Sequence, residues 1–429
     1  MDTEKIYNIL TVAAVILIFG FLILAVMVNL KSEGFAIALV GACILIFIAV
    51  SSLLIIYSDR IGFINRFKTS SADTKEADSF VKAYRNTILF KVILLLGLII
   101  LLLFLSLLTL YIHQNWVDFQ GMIDILIGHM QGRTYPAGDP RLYADILICD
   151  DRLPRVVCII VAGASLAVGG CVMQSVVKNP LADPFTTGIS SGAVLGVAFA
   201  MIMGFTISNG GQMGVIINAF VFGLIPTALM IVIARISNGS VVTIILVGTA
   251  LSYIFASFTT VLMIGADETQ MDQVFKWQVG SLAGMTWTSA YTMAAFFLIC
   301  GTILILMSNK LNIMSAGDSE ARSLGMNVER FRAFCMVILS LMTCAVISFT
   351  GIIGFLGLLC PHIVRLLVGS DNRAVIPVSA ALGATILMFA DLVSRNIATD
   401  IMPVGVVMSF IGGPLFLILL LRSKKGVFN

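Results

Sequence analysis

The chain has 429 residues, of which 59% are hydrophobic and only 11% are charged, and its formal net charge is +3. Its mean hydropathy of +1.05 is too high for a water-soluble protein that hides its apolar residues in a core. Because lipid offers no partner for an open backbone group, the composition predicts an all-α integral membrane protein. The small positive charge gives no indication of nucleic-acid binding.

The N-terminal part predicts a separate transmembrane hairpin over residues 1-57, with apolar runs near 8-29 and 36-57. The first run is too long for a cleaved signal peptide, and its head, MDTEK, is not basic. Residues 58-87 form a charged linker that carries serine and threonine and is predicted to be cytoplasmic. The third unit, residues 88-425, is the body of the protein.

Ten apolar runs in this body are each long enough to predict a membrane helix, so that the whole chain has about twelve. With the N-terminus in the cytoplasm, most of the 26 lysines and arginines lie on the inner side, and the positive-inside rule then places both termini in the cytoplasm. The runs lie near 88-112, 154-175, 186-206, 214-235, 242-264, 288-308, 333-350, 353-368, 374-394 and 404-421.

The stretch NPLADPFTTGISSGAVLG, Asn179 to Gly196, begins between the runs 154-175 and 186-206 and extends into the second. Pro180 and Pro184 predict the end of the preceding helix and an extended turn around Asp183, because proline lacks an N–H and disfavours a helical residue before it. Either threonine of the TT pair could cap the next helix. The glycines at 188, 192 and 196 would form a bare helix face for close packing. The stretch could serve packing alone, or also line a route or meet a partner.

The stretch GIIGFLGLLCPHIVR predicts a sharp reversal between two short spans, with Gly351, Gly354 and Gly357 as its small residues. Pro361 falls inside the returning helix and frees a carbonyl one turn earlier. A nearby side chain or water must satisfy that carbonyl.

The inner segment 309-332 is strongly charged, and its SEARSLG run predicts a short helix that stops at Gly325. Such a segment could be a docking surface or an ordinary solvated connection. The sequence contains no GxxxxGK[ST] phosphate loop and no HExxH motif, so that no enzyme site is indicated.

No metal site is predicted, since the three histidines are far apart in sequence and no cysteine pair has CxxC spacing. An ion-coupled carrier would normally keep ionisable groups near the bilayer midplane. Here the acidic residues lie at span ends and in loops. Asp391 is the most embedded, and Arg395 lies one turn later at the i,i+4 spacing that would neutralise it.

Four separated stretches together resemble the FecCD-type permeases of ABC importers for iron-siderophore, haem and cobalamin. They are 152-196, 351-373, ADLVSRN at 390-396, and 402-421, in collinear order over about 88-425. The resemblance implies a ten-helix type II importer permease body that pairs with a second permease chain. Two ATP-binding cassette ATPase subunits would dock inside and an extracytoplasmic substrate-binding protein outside.

This resemblance also implies a transport subunit without an ATPase site or cofactor of its own, because the partner binds ATP. It would lie in a bacterial or archaeal cytoplasmic membrane and carry a metal chelate that the sequence does not identify. The N-terminal hairpin is extra to the family's usual body. The alternatives are an ion- or proton-coupled carrier and a structural or sensory membrane protein.

Site residues follow from the matching positions. The ATPase-coupling candidates are Glu320, Ala321, Leu324 and Gly325. The binding-protein docking candidates are Arg152, Arg155 and Arg395, which the topology places on one outer surface, although lone arginines at span ends also serve as membrane anchors. The pathway and gate candidates are Ser240, Thr243, Ser257, Thr260, Gly280 and Gly284. Intrahelical bonding explains the hydroxyls of Ser257 and Thr260 equally well. Gly280 and Gly284 match the bends of the family's outer turn in the stretch KWQVGSLAGMTW.

Overall fold

A computed structural model describes residues 74-112, 117-208, 210-236, 241-397 and 402-427. Within these ranges the regular structure is helical and contains no strand. The predicted hairpin 1-57 lies outside the described residues, as does the first half of the predicted linker. The all-α prediction is therefore confirmed for the body, while the hairpin stays a prediction.

The described helices are numbered in chain order. Their bounds are α1 Thr74–Tyr111, α2 Phe119–Met130, α3 Pro140–Val177, α4 Ile189–Ile202, α5 Gln212–Ile236, α6 Val241–Ile264, α7 Glu268–Gln278, α8 Trp287–Leu306, α9 Ser308–Ala316, α10 Asp318–Ser323, α11 Val328–Thr350, α12 Leu356–Val368, α13 Asn372–Ile397 and α14 Val404–Val427. Short π-helical segments lie inside α3 at Ile146–Arg152 and inside α8 at Phe297–Gly301.

Seven of these helices are long and apolar enough to cross a membrane: α1, α3, α5, α6, α8, α11 and α13. The helices α4, α12 and α14 are apolar over shorter stretches. Each coincides with one of the ten predicted runs, but their boundaries differ. Helix α1 begins at Thr74, inside the predicted linker, and its apolar part begins at Thr87.

Helix α3 is much longer at its N-terminal end than the predicted run of 154-175. Asp139 caps it by accepting a hydrogen bond from the Arg141 amide at 2.9 Å, and Pro140 stands in the first turn, where a missing N–H costs nothing. The π-helical segment ends two residues before Pro154, which likewise has no N–H to donate. A search for apolar runs misses this extension because charged residues interrupt it, at Arg141, Asp145 and Asp150 to Arg152.

Helix α3 is the centre of the body and packs most extensively against α13, with α11 and α12 beside it. The contact with α13 depends on two glycines: a Cβ added at Gly163 would lie 2.5 Å from the Gly383 carbonyl oxygen. Gly170 meets the Gly357 backbone of α12 in the same way. Small residues thus let the helix backbones approach closely.

The predicted glycine face of α4 packs against α5. A Cβ added at Gly192 would lie 2.5 Å from the Phe222 carbonyl oxygen, and one at Gly196 would lie 2.5 Å from the Asn218 carbonyl oxygen. A larger residue at either position would push the two helices apart. The prediction that these glycines permit a close helix contact is confirmed.

The break between α11 and α12 is buried in the protein. Residues 351-355 are not helical, and Phe355 has a positive φ of 69°. Gly351 also has a positive φ, and Gly354 lies between them as part of the predicted reversal. Non-helical backbone at this depth is tolerated where protein surrounds it. The Ser281 amide, for example, donates to the Thr350 carbonyl oxygen at 2.8 Å.

Candidate functional site

The predicted coupling segment forms a short helix, α10, that ends in a Schellman motif. The Met326 amide donates to the Ala321 carbonyl oxygen at 3.0 Å, and the Gly325 amide donates to the Arg322 carbonyl oxygen at 2.9 Å. Gly325 has a φ of 80°, a left-handed conformation that favours glycine. The predicted helix stop at Gly325 is confirmed.

The two faces of α10 differ. Leu324 is 71% exposed, and Glu320 is also exposed. Ala321 is fully buried among core residues, so that it would support the coupling turn from the inside and does not face outward. The helix needs an inward residue to hold it against the body, and Ala321 serves this purpose.

Asp318, the first residue of α10, is paired with two cations from distant parts of the chain. Its carboxylate lies 2.5 Å from Lys178 Nζ, just after α3, and 2.9 Å from Arg332 Nη2 of α11. Arg332 is buried and also donates to the Val176 carbonyl oxygen. Burial raises the pKa of Asp318, but the hydrogen bonds from Lys178 and Arg332 outweigh it, and the pKa lies below its usual value.

These two ion pairs of Asp318, called here the Asp318 brace, connect α10 to the ends of α3 and α11. This contact was not predicted, because Lys178 lies far from Asp318 in the chain and no local spacing links them. The only signal was the presence of opposite charges in segments predicted to share the inner side.

A second polar cluster joins α9 and the α12–α13 turn to α3. Asn312 donates to the Asp371 carboxylate at 2.7 Å and accepts from the Asn372 amide at 2.8 Å. Arg365 donates to the Ser175 hydroxyl at 2.9 Å. The helices that flank α10 are therefore also held to α3.

The predicted turn after α3 contains two side-chain caps. The Asn179 side-chain oxygen accepts from the Leu181 amide at 2.9 Å, across Pro180. Asp183 is buried and accepts from the Phe185 amide at 2.8 Å, and Pro184 begins a 3₁₀ turn, Pro184–Thr187. Burial raises the pKa of Asp183 to about 6, although the Phe185 amide opposes this shift.

The expectation that Thr186 or Thr187 caps α4 is wrong. Their hydroxyls donate backward, to the carbonyl oxygens of Asp183 and Pro184, each at 2.6 Å. Gly188, with a φ of 87°, occupies the cap position of α4 instead. The backward bonds satisfy the 3₁₀ turn and leave the threonines facing away from the first turn of α4.

The carbonyl that Pro361 frees has a partner from another helix. Gln174 of α3 donates its side-chain amide to the Gly357 carbonyl oxygen at 3.4 Å and to the Leu358 carbonyl oxygen at 3.3 Å. The expectation that a nearby side chain satisfies this carbonyl is confirmed.

The three predicted docking arginines converge, although two of them are already paired within the chain. Arg155 Nη2 lies 2.6 Å from Asp391 Oδ1, and Arg395 Nε lies 3.4 Å from Asp391 Oδ2, as the i,i+4 spacing predicted. Arg152 donates to the carbonyl oxygens of Leu110 and Ile112, each at 2.7 Å. Arg152 and Arg155 are only 6% and 9% exposed. The three docking candidates are therefore held by contacts within the chain, and their docking role stays a prediction.

The predicted pathway residues lie in different surroundings. Ser257 and Thr260 are exposed on α6, and each hydroxyl donates to a carbonyl oxygen one turn earlier. Thr243 is half-buried, and Ser240 lies outside the described residues. Exposed residues recur on α6 at helical spacing: Val242, Leu246, Tyr253, Ser257, Val261 and Ile264.

The turn after α7 bends at the two predicted glycines, Gly280 and Gly284. Gly280 has a φ of 76° and Gly284 a φ of 68°, both left-handed. Gly280 also packs directly against the Ile352 carbonyl at the α11–α12 break. Both bends are confirmed.

Comparison with known proteins decides the family. The profile of the FecCD transport family matches residues 98–422, which is most of the chain. The chain belongs to the FecCD transport family. This confirms the resemblance found in the sequence and makes this FecCD chain a membrane permease rather than a structural or sensory protein.

Relatives and a solved structure agree with the assignment. An ABC transporter permease protein of Methanocaldococcus jannaschii is 40% identical to this chain over 66% of it and 84% of the relative. The hemin transport system permease protein of Yersinia pestis is 34% identical over 64% of this chain and 83% of the relative. A metal-chelate type ABC transporter, solved in an inward-facing conformation, has a TM-score of 0.67 and 28% identity over 76% of this chain and 98% of that chain.

Proposed function

We propose that the chain is the permease subunit of an ATP-driven importer that moves a metal chelate of the iron-siderophore, haem or cobalamin-like type into the cytoplasm. A separate binding protein delivers the chelate, and a separate ATPase drives the transport. The observation that carries this proposal is α10, an exposed helical turn fixed to the ends of two long apolar helices by the Asp318 brace.

A coupling element must meet a partner and transmit its movement. Glu320 and Leu324 offer a carboxylate and an apolar side chain on the exposed side of α10. Because Asp318 contacts residues at the ends of α3 and α11, displacement of α10 would pull on both helices. This arrangement supports the assignment of α10 as the site of ATPase docking.

The exposed face of α6 supports pairing of two chains around a route. Its surface is largely apolar but carries the hydroxyls of Ser257 and Thr260, which suits a wide path that does not hold one ligand tightly. Lipid would also cover such a face. Ser257→Cys should cross-link two copies of the chain on oxidation, while Leu298→Cys on the exposed face of α8 should not. Equal cross-linking of both variants and the parent would refute this interface.

The arginine cluster supports a modified docking hypothesis, in which buried arginines attract an acidic partner by their charge. Arg155 and Arg395 share the carboxylate of Asp391, and the charge of Asp151 acts on Arg152 and Arg395. Three guanidinium groups therefore face two carboxylates, which leaves a small excess of positive charge. This excess attracts an anionic surface, although the buried guanidinium groups are held in place. Docking should weaken as salt rises, because such contacts are screened.

Orientation and location follow from the same proposal. Lys178, Arg332 and the α10 surface would lie in the cytoplasm, and the arginine cluster would lie on the opposite side of a bacterial or archaeal cytoplasmic membrane. Both termini would then be cytoplasmic, in agreement with the charge distribution.

The test is uptake into proteoliposomes that contain the full chain, its ATPase partner and its binding protein, with hemin, a ferric hydroxamate and cobalamin as parallel substrates. We expect one of the three to accumulate only with ATP, and ionophores that collapse proton and sodium gradients to have no effect. Uptake that needs a gradient and no ATPase would instead support a coupled carrier. Failure with all three chelates would refute the substrate class.

A further inference from the structure

We propose that His129, Asp145 and Cys149 form a binding site for a divalent transition-metal ion of the zinc type. The donor atoms of the three side chains lie within 4.8 Å of one another. His129 Nδ1 and Asp145 Oδ1 are 2.9 Å apart. This site lies in the segment between α1 and the apolar part of α3. Cys149 shares the π-helical segment Ile146–Arg152 with the docking candidate Arg152, and the site is distant in the chain from the proposed coupling helix α10.

The donor set identifies the chemistry of the ion. Zinc is bound by thiolate, imidazole and carboxylate at about 2.0 to 2.3 Å, and tetrahedral donors around it are separated by about 3.3 to 3.8 Å. The donor separations at the site bracket this range, so that small side-chain rotations would bring all three into contact with one ion. Calcium and magnesium prefer oxygen donors alone, which disfavours both.

The backbone places the three donors on neighbouring surfaces. Asp145 and Cys149 are four residues apart where α3 enters its π-helical segment, Ile146–Arg152. A π-helix is wider than an α-helix, and residues four apart lie close to one line along its axis. π-Helical turns are rare and occur frequently at functional sites. His129 approaches from the last turn of α2, sixteen residues before Asp145.

The surroundings leave room for a fourth ligand. Cys149 is a buried, free thiol, and its carbonyl oxygen accepts from Trp287 Nε1 at 3.1 Å, which fixes the backbone at the inner side of the site. The His129 side chain is 44% exposed. An ion held by the three donors would therefore be reached from solvent on the histidine side.

Binding would join α2 to α3. The Cys149 thiol gives up its proton to solvent when the ion binds, and His129 binds as the neutral ring. No sequence motif indicates this site, because His129 and Cys149 are twenty positions apart without a recognised spacing. The expectation that the chain holds no metal is set aside for this cluster.

The experiment measures metal binding to the purified full chain in lipid nanodiscs, without partners. Zn²⁺ titration followed by calorimetry should give one ion per chain, and Co²⁺ should give a thiolate-to-cobalt charge-transfer band in the near ultraviolet. His129→Ala removes an exposed ligand without opening the core and should weaken Zn²⁺ binding by more than about tenfold, since loss of even an outer-shell partner costs about 10- to 100-fold. Cys149→Ser should abolish the Co²⁺ band.

Matched controls are Cys158→Ser, which changes another buried thiol of α3, and His362→Ala. Neither should alter the stoichiometry or the band. The proposal is overturned if the parent chain binds no stoichiometric Zn²⁺, or if His129→Ala and Cys149→Ser bind it as tightly as the parent. If Cys149→Ser does not fold, the His129→Ala titration and the parent Co²⁺ spectrum still decide.

Discussion

Asp318→Ala should release the coupling helix from the ends of α3 and α11. The substitution removes a carboxylate that is 2.5 Å from Lys178 Nζ and 2.9 Å from Arg332 Nη2. Breaking a buried pair costs about 3–5 kcal/mol, whereas an exposed pair contributes about 0.2–1 kcal/mol. The Asp318 side chain is 29% exposed and that of Arg332 only 3%, and we expect an intermediate cost of about 2 kcal/mol.

A cost of about 2 kcal/mol corresponds to about 30-fold in the opening equilibrium of α10. Hydrogen exchange by mass spectrometry, on the full chain in nanodiscs, measures this opening directly. Amides of residues 318-326 should exchange about 30-fold faster in the variant, while the centre of α3 should be unchanged. In proteoliposomes, ATP hydrolysis should continue while uptake per ATP falls.

Arg322→Ala is the matched control, since it removes an ion pair on the same short helix. Arg322 Nη2 lies 2.6 Å from Glu329 Oε1, but both side chains are about half exposed, and we expect less than about 1 kcal/mol. Equal effects of the two variants on exchange would show that the brace has no special role. Unchanged exchange in Asp318→Ala would refute the reasoning altogether.

The other predictions concern the helix stop, the buried turn and the arginine cluster. Gly325→Val should uncouple hydrolysis from uptake, because a left-handed φ costs a side-chain-bearing residue about 1–2 kcal/mol; Gly325→Asn, which tolerates this conformation, should retain coupling, and parental coupling in the valine variant would contradict the assignment. Asp183 has its pKa raised to about 6, so that its contribution to stability is complete below about pH 4 and is lost as pH rises through about 6; Asp183→Asn should flatten thermal stability between these values, and an unchanged profile would count against it. Asp391→Leu should lower stability by about 3–5 kcal/mol because it leaves Arg155 and Arg395 without their carboxylate; adding Arg155→Met should restore part of the loss in denaturation measurements, and strict additivity would rule out coupling of the pair.

Local features of the fold followed from the sequence. Apolar runs predicted every long helix of the described body, since spanning a bilayer requires a continuous apolar stretch. The bends at Gly325, Gly280 and Gly284 could be predicted because a left-handed backbone favours glycine, which has no Cβ. The i,i+4 pair of Asp391 and Arg395 was likewise local, and its contact is present in the structure.

The contacts between distant side chains depend on how the helices pack. Asp318 pairs with Lys178 and Arg332 across three helices, Arg155 reaches the same carboxylate as Arg395, and His129 meets Asp145 and Cys149 through a π-helical turn. Each contact joins residues that no helical period relates, and it depends on how α3 packs against its neighbours. Helical periodicity relates residues that are close in sequence, whereas an ion pair or a metal site needs residues that are close in space. Local patterns therefore specify the spans and their bends, and helix packing specifies which charges pair.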